Sequence, residues 1–576
     1  MTAFARAMPF GATLLGDGRT RFRLWAPQQD EVAVVVEGSA AEPMSKRPDG
    51  WFELETRCPA GGRYRYRLGS GLDVPDPAAR AQESDVHGPS LVVDPSAYRW
   101  RHPDWSGRPW AETVLYELHA GLYGGFAGLT DELPRLAALG VTAVELMPVN
   151  DFSGQRNWGY DGVLPFAPDR AYGTPGELKA LIDRAHELRL MMFLDVVYNH
   201  FGPEGNYLGL YAPQFFRNDV PTPWGSAIDF RQPAVRRFFI ENALYWLMEY
   251  RFDGLRFDAV HAIVDQEFLD EMAAEIRNTV EPGRHVHLVL EHDGNDASHL
   301  RKGYDAQWND DAHHVLHVML TGEGDGYYGD YADESAQKLA RCLSEGFVYQ
   351  GEPSAYRKGE RRGAPCADLP PTAFVLFLQN HDQIGNRPFG DRLTTLVDPE
   401  ALKAAVGLQL LAPNIPLLFM GEERFARTPF QFFTDYHGDL ANAVREGRKR
   451  EFAAFTKFAG KDIPDPNALE TFERCRLDGK GDDSFYRNAL KLRHELVAPR
   501  LAGTRNLEAT VLGPSAVLAR WRLGDGAVLA IAANLGESAV ALARPSGRPV
   551  FETRAGALAD ERLGARTTAV FIEEPA

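Results

Sequence analysis

The chain has 576 residues, too many for one ordinary domain and enough for two to four. Hydrophobic residues make up 44% and charged residues 25%, an ordinary soluble composition, and no 18-residue apolar run is present to span a membrane. Lys and Arg number 62 against 80 Asp and Glu, a formal charge of -18, which argues against nucleic acid or an anionic membrane as a partner and suits a neutral substrate or plain solubility.

The opening MTAFARAMPFGATLLG lacks the apolar core of a signal peptide. Cys58, Cys342, Cys366 and Cys475 are scattered, with no C-x-x-C. Reduced thiols in a cytoplasmic protein are expected, neither a disulfide frame nor a cysteine zinc site. TRFRLWAP, EVAVVVEG, GWFELET and GGRYRYRLG then read as short strands with turn residues between them. In the last, Tyr64, Tyr66 and Leu68 alternate with arginines, so a small β-sandwich is expected over residues 1–95. The Pro-, Gly- and Asp-rich run DVPDPAARAQESDVHGPS reads as a connector, and a linker is expected over 96–110.

From residue 111 apolar strands alternate with helix-like segments: TVLYELH, VTAVELMP, MMFLDVV, GLRFDAV, VHLVLEHD, YDAQWND, AFVLFLQNHD and PLLFMGEE. This rhythm predicts an α/β fold, a (β/α)8 barrel over 111–500 with long insertions. SAVLARWRLGDGAVLAIAANLG reads as two strands around a Gly-Asp-Gly turn, so a C-terminal all-β domain is expected over 501–576. No internal repeat or low-complexity tract is visible.

DGLRFDAVHAI, residues 253–263, is the most telling stretch. As a strand it turns Arg256 and Asp258 one way and Leu255 and Phe257 the other. Helix-like neighbours on both sides argue for a parallel sheet covered on both faces, where charges need a reason. Other apolar runs end in charge too: Asp195 with Asn199 and His200, Glu291, and His381 with Asp382. Strand C-termini meet at one face of a parallel barrel, so these residues share a cleft, and Arg256 and Asp258 line its mouth. Any one of the acids could be a helix N-cap; four, each with His or Arg nearby, are harder to read so. Asp195 could simply brace the arginine, and His261 and Asn199 could only orient neighbours.

Phosphate handling is disfavoured, because no Gly-rich phosphate loop is present. A metal-dependent hydrolase is possible from Asp and His, although the first strand offers only His119 and no paired H-x-H. Glycoside chemistry needs one ionised carboxylate and one protonated acid. An arginine keeps the first ionised, and neighbouring carboxylates raise the pKa of the second. Aromatics make up 11% of the chain, and Tyr160, Tyr207 and Trp224 lie beside strand ends, as sugar platforms or as core.

Taken together, DVVYNH, GLRFDAVH, LVLEHD and LQNHD resemble the four signature regions of the α-amylase superfamily of glycoside hydrolases, in order and form. The resemblance implies a glucan-binding-like N-terminal sandwich, Asp258 as nucleophile, Glu291 as protonated acid/base, and Asp382 as a third acid on the distorted sugar. Arg256, His200 and His381 would hold the reacting ring. Retention would require the carboxyls of Asp258 and Glu291 to lie roughly 5–5.5 Å apart.

NWGYDGVLPFAP, DVVYNHFGPEGNYL, QWNDDAHH, LTGEGDGYY, LQNHDQIGNRPFG and TPFQFF carry a narrower resemblance, to the maltooligosyltrehalose trehalohydrolases. It implies release of trehalose from maltooligosyltrehalose, a neutral oligosaccharide; no cofactor and no catalytic metal are expected, because the carboxylates already supply nucleophile and acid and Asn199 lacks an obvious set of oxygen ligands. It also implies substrate contacts at Arg256, His261, His200, Asp310, Asp311, His313, His314, His381, Gln383 and Asn386, with Tyr160 and Trp224 as rings. The sequence departs from the pattern in the short loop at 121–129, at Ala312 and at Arg424. A branching or debranching enzyme of the superfamily, or a glucan-binding protein without catalysis, are the alternatives. The oligomeric state is not legible.

Overall fold

The computed structural model describes residues 2–453 and 462–575. Eight parallel strands close into a barrel: β1 Leu115–Leu118, β2 Ala143–Leu146, β3 Met191–Val196, β4 Gly254–Phe257, β5 His287–Leu290, β6 Ala306–Trp308, β7 Phe374–Leu376 and β8 Ile415–Phe419. The first seven lie inside runs expected to be strands, β8 starts one residue before its run, and β8 pairs back onto β1 through Leu115–Leu417. Helices follow the strands as their amphipathic patterns predict, at Gly125–Leu139, Pro175–Glu187, Pro233–Met248 and Glu267–Thr279. The second starts on a reciprocal cap, in which Thr174 accepts the Glu177 N–H and the Glu177 carboxylate accepts the Thr174 N–H.

Period two sorts the strands into an inner and an outer face. Leu115, Ala143, Phe193, Val289, Val375 and Leu417 pack together as an apolar floor, a cluster separate from the helix-facing core. Two residues further along the same inner faces stand Glu117, Glu145, Asp195 and Glu291, while Arg256 follows Gly254. Gly254 leaves room for the Phe193 ring, which a Cβ there would meet at 2.2 Å. Leu255 and Phe257 point outward into the helix layer.

Before the barrel, two antiparallel sheets form the expected β-rich module, one built on Arg19–Trp25 and Trp51–Arg57, the other on Val32–Val36 and Arg63–Leu68. Tyr64 and Tyr66 are buried and donate their hydroxyls to Asp76 at 2.7 and 3.2 Å. The module is bolted to the barrel where Arg80 meets Glu249 at 2.7 Å and Phe10 packs edge-on against Phe238 at 5.3 Å. After the barrel, five antiparallel strands form a sheet in which Ala516–Arg522 pairs with Val528–Asn534 around Gly524-Asp525-Gly526, as the sequence suggests. The short loop after β1 is one tight turn, Ala120–Tyr123, followed at once by helix. All four cysteines are free and buried.

Candidate active site

Arg256 is fully buried and organises the barrel mouth. Its Nη1 donates to Asp195 at 2.6 Å and to Asp258 at 2.8 Å, and its Nη2 donates to Glu291 at 2.7 Å. Its plane lies 4.2 Å over the Trp308 ring. One cation therefore joins acids from three strand ends, which is why a charged pair sits in an otherwise apolar strand. Just after Asp258 the chain turns through the left-handed region at Ala259, φ 40°. That turn lets the Ala259 N–H donate to Glu291 at 2.7 Å.

A second charged group closes the mouth from β1 and β7. Glu117 accepts both the ring Nδ1–H and the backbone N–H of His381, the latter at 3.1 Å. Burial disfavours the imidazolium, but Glu117 and Asp382 outweigh it and raise the His381 pKa to about 9. The His381 ring stacks on Tyr160 at 4.9 Å, and the Tyr160 hydroxyl donates to Asp195 at 2.6 Å. Asp382 opens toward solvent, its side chain 39% exposed, and takes the Asn386 amide at 3.1 Å. Burial and then Glu291 push its pKa up, against His381.

Burial, with Glu291 and Asp195 nearby, lifts the Asp258 carboxyl well above the usual range in spite of Arg256. Burial also acts on Glu291, but Arg256, His261 and the Ala259 N–H overcome it and hold this carboxyl below the usual range. The arginine N–H and the backbone N–H that favour the Glu291 anion are contacts no linear motif displays.

A cleft of about 400 Å³ opens beside Glu291 and Asp382, while Asp258 is buried behind its lining. Its lining includes Glu291, Asp382, His261, Asp310, His314, Gln383 and Asn386 among the expected residues. Asp311 and His313 are not brought to it. They sit on the helix Asp310–Thr321, where Asp310 and His314, four apart, share the cleft face and the intervening positions turn away. Asp311 is buried behind, holding the Tyr331 hydroxyl at 2.5 Å, Arg362 at 2.6 Å and the Val348 and Tyr349 N–H groups. His313 binds the Leu378 carbonyl at 2.7 Å, and burial lowers its pKa to about 3. His200 is buried against Asn199 and the Tyr160 carbonyl. Trp224 is 45% exposed on a hairpin and stacks on His200 at 4.7 Å, outside the cleft lining. Asn199 reaches Asp258 at 3.4 Å.

Several lining groups were not singled out. Tyr327, Tyr331, Tyr356, Arg357 and Arg362 come from the segment 326–362. Only the aromatic pair in LTGEGDGYY hinted at this wall. Glu117 and Glu145 were also missed, although their inward register follows from period two. Among the described residues Glu145 has no hydrogen-bond partner for either oxygen, and burial lifts its carboxyl well above the usual range. His119 lies away from the cleft, on the Asn157 carbonyl at 2.8 Å. Arg424 caps a loop at the Gly479 carbonyl, 2.7 Å away, and Ala312 is buried in its helix.

Comparison with known proteins agrees with this architecture. Residues 9–79 match carbohydrate-binding module 48 (isoamylase N-terminal domain), residues 82–210 the alpha amylase catalytic domain, and residues 504–571 the domain of unknown function DUF3459. A crystal structure of a candidate alpha amylase from Salmonella typhimurium superposes with a TM-score of 0.93 at 44% identity, covering 99% of this chain and 100% of that one. The malto-oligosyltrehalose trehalohydrolase of Deinococcus radiodurans is 43% identical over 84% of this chain and 83% of its own length. That of Saccharolobus solfataricus is 39% identical over 85% of this chain and 87% of its own. This chain belongs to the malto-oligosyltrehalose trehalohydrolase family, within the alpha-amylase class of glycoside hydrolases.

Proposed function

We propose that this chain hydrolyses the α-1,4 bond next to the terminal trehalose of a trehalose-capped maltooligosaccharide, releasing trehalose and a maltooligosaccharide with retention of configuration. The observation that carries the chemistry is the single Arg256 guanidinium shared by Asp258 and Glu291 at the head of a sugar-sized cleft. Asp258 attacks the anomeric carbon, Glu291 protonates the leaving oxygen and then activates water, and Asp382 braces the distorted ring.

For attack, Asp258 must be ionised and Glu291 protonated, against the direction in which burial and these hydrogen bonds shift each carboxyl. A glycosidic oxygen beside Glu291 offers its O–H an acceptor and so favours the neutral acid. Asp258 keeps the Arg256 and Asn199 donors that favour its anion. His381, whose pKa is raised to about 9, faces Asp382 from 3.5 Å and favours the Asp382 carboxylate. We assign trehalose recognition to Asp310, His314, Gln383 and Asn386, with Tyr327 and Tyr356 as apolar walls. Buried polar groups left unpaired by the wrong sugar cost about 1–3 kcal/mol each, so two mismatches give discrimination on the order of a hundredfold.

We also assign the catalytic unit to residues 111–500, the sandwich to 1–95, the linker to 96–110 and the C-terminal domain to 501–576. Among the described residues no helix is long and apolar enough to cross a membrane; a cytoplasmic location belongs to the proposal. The test is product analysis with maltotriosyl-trehalose and maltopentaose side by side. Free trehalose and a much higher kcat/KM for the capped sugar are expected. Near-equal kcat/KM values would return the chain to a general amylase, and α-1,6 branches would make it a branching enzyme.

A further inference from the structure

Just past Glu291, the chain places His292, Asp296 and His299 around one point, with a ligand atom of each within 4.8 Å of the others. The His299 ring is over-supplied with acceptors. Its Nδ1 faces the Asp270 carboxylate at 2.7 Å. Its Nε2 faces the Gln266 Oε1 at 3.2 Å and the Asp296 Oδ2 at 4.0 Å. The Gln266 amide cannot simply be turned round, because its NH2 donates to the carbonyls of Val260 at 2.8 Å and Ile263 at 2.5 Å. A neutral imidazole has one donor, and both nitrogens here face oxygen. The second contact needs either a second proton or a cation.

We propose that His292, Asp296 and His299 bind a divalent transition-metal ion, zinc in the first instance, with Gln266 Oε1 or water in the fourth position. Two imidazoles and a carboxylate are a borderline-soft set that suits zinc. Asp270, held on its other oxygen by Lys302 at 2.8 Å, fixes the His299 ring so that Nε2 is the free lone pair, the usual way a carboxylate orients a metal-binding histidine. His292 is 8% exposed, so its ring stands inside the loop beside Asp296 and His299 rather than in open solvent. Its Nδ1 now accepts the Gly294 N–H at 3.0 Å, a bond that ligation through either nitrogen gives up. Ligand atoms around tetrahedral zinc stand about 3.3 Å apart, so the loop closes slightly on the ion.

No catalytic step is assigned to this ion. Gln266 grips the turn that follows Asp258, and His292 adjoins Glu291. An ion here clamps together the two segments that carry the arginine-linked acids.

The full chain, stripped with chelator and dialysed, should bind close to one equivalent of Zn²⁺ by calorimetry, with a rise in Tm. Asp296→Asn and His299→Gln should each weaken binding by about tenfold or more. Co²⁺ added to the unmutated protein should give the visible absorption of a tetrahedral site, a readout that stands even if a variant fails to fold. Absence of stoichiometric binding with an unmoved Tm, or binding that Asp296→Asn leaves intact, would overturn the proposal and leave His299 satisfied by a second proton alone.

Discussion

The barrel interior has two layers made by the same strands in the same register. In the lower layer Phe193, Val289, Val375 and Leu417 pack as a hydrocarbon plug. Two residues later Asp195 and Glu291 meet Arg256, and Glu117 meets His381. Both layers are largely buried, yet the lower supplies burial energy and the upper consumes it. Charges taken out of water are tolerated only when paired and hydrogen-bonded, and here nearly every one is. The lower layer makes the upper one possible by holding the strand ends rigid, so one guanidinium can meet three carboxylates within 2.8 Å.

The largest expected effect separates the layers by function. Asp258→Asn should lower kcat/KM on the order of 10⁴-fold while leaving Tm nearly unchanged, and Glu291→Gln should do the same except with very good leaving groups. Equal losses for good and poor leaving groups would count against Glu291 as the acid. Phe193→Ala should do the converse, costing about 3–5 kcal/mol of stability in chemical denaturation, with kcat of the folded fraction largely kept.

How much of this was legible follows the same layers. The apolar strands announced the barrel, because parallel strands buried on both faces read as hydrophobic runs. Asp258 and Glu291 were legible because they follow those runs directly, and Asp382 because the motif LQNHD closes one. Glu117 and Glu145 were not singled out: one acid inside an apolar strand looks like a solvent-facing position until the sheet is known to close. Asp311 and His313 were grouped with Asp310 and His314 because a motif is linear and a helix is not. The wall residues of 326–362 lie in the loops before and after the helix Ser335–Glu345, where no periodicity marks them. The hydrogen bond from the Ala259 N–H to Glu291 was not legible either, because only the folded turn aims it there.

A smaller effect tests the upper layer's second cation. Removing the Glu117 charge with Glu117→Gln takes away the main influence that raises His381. The alkaline limb of the kcat/KM–pH profile should fall by on the order of one pH unit or more. The sign for stability agrees. A histidine raised from 6.5 to about 9 contributes fully below the lower value, and that contribution is lost as pH rises through the upper one. An unmoved alkaline limb would reduce Glu117 to a purely structural contact.

The smallest effect belongs to the cleft wall, where Tyr356 is 57% exposed. Tyr356→Ala should raise KM a few-fold with kcat nearly constant, about 1 kcal/mol of uniform binding. A large fall in kcat would place Tyr356 at the reacting ring instead.

The central claim is that the arginine-linked pair Asp258 and Glu291 works by double displacement. The most direct test is an NMR time course on maltotriosyl-trehalose, reading the anomer of the newly freed reducing end before mutarotation. The account predicts the α-anomer first, and the β-anomer first would contradict it.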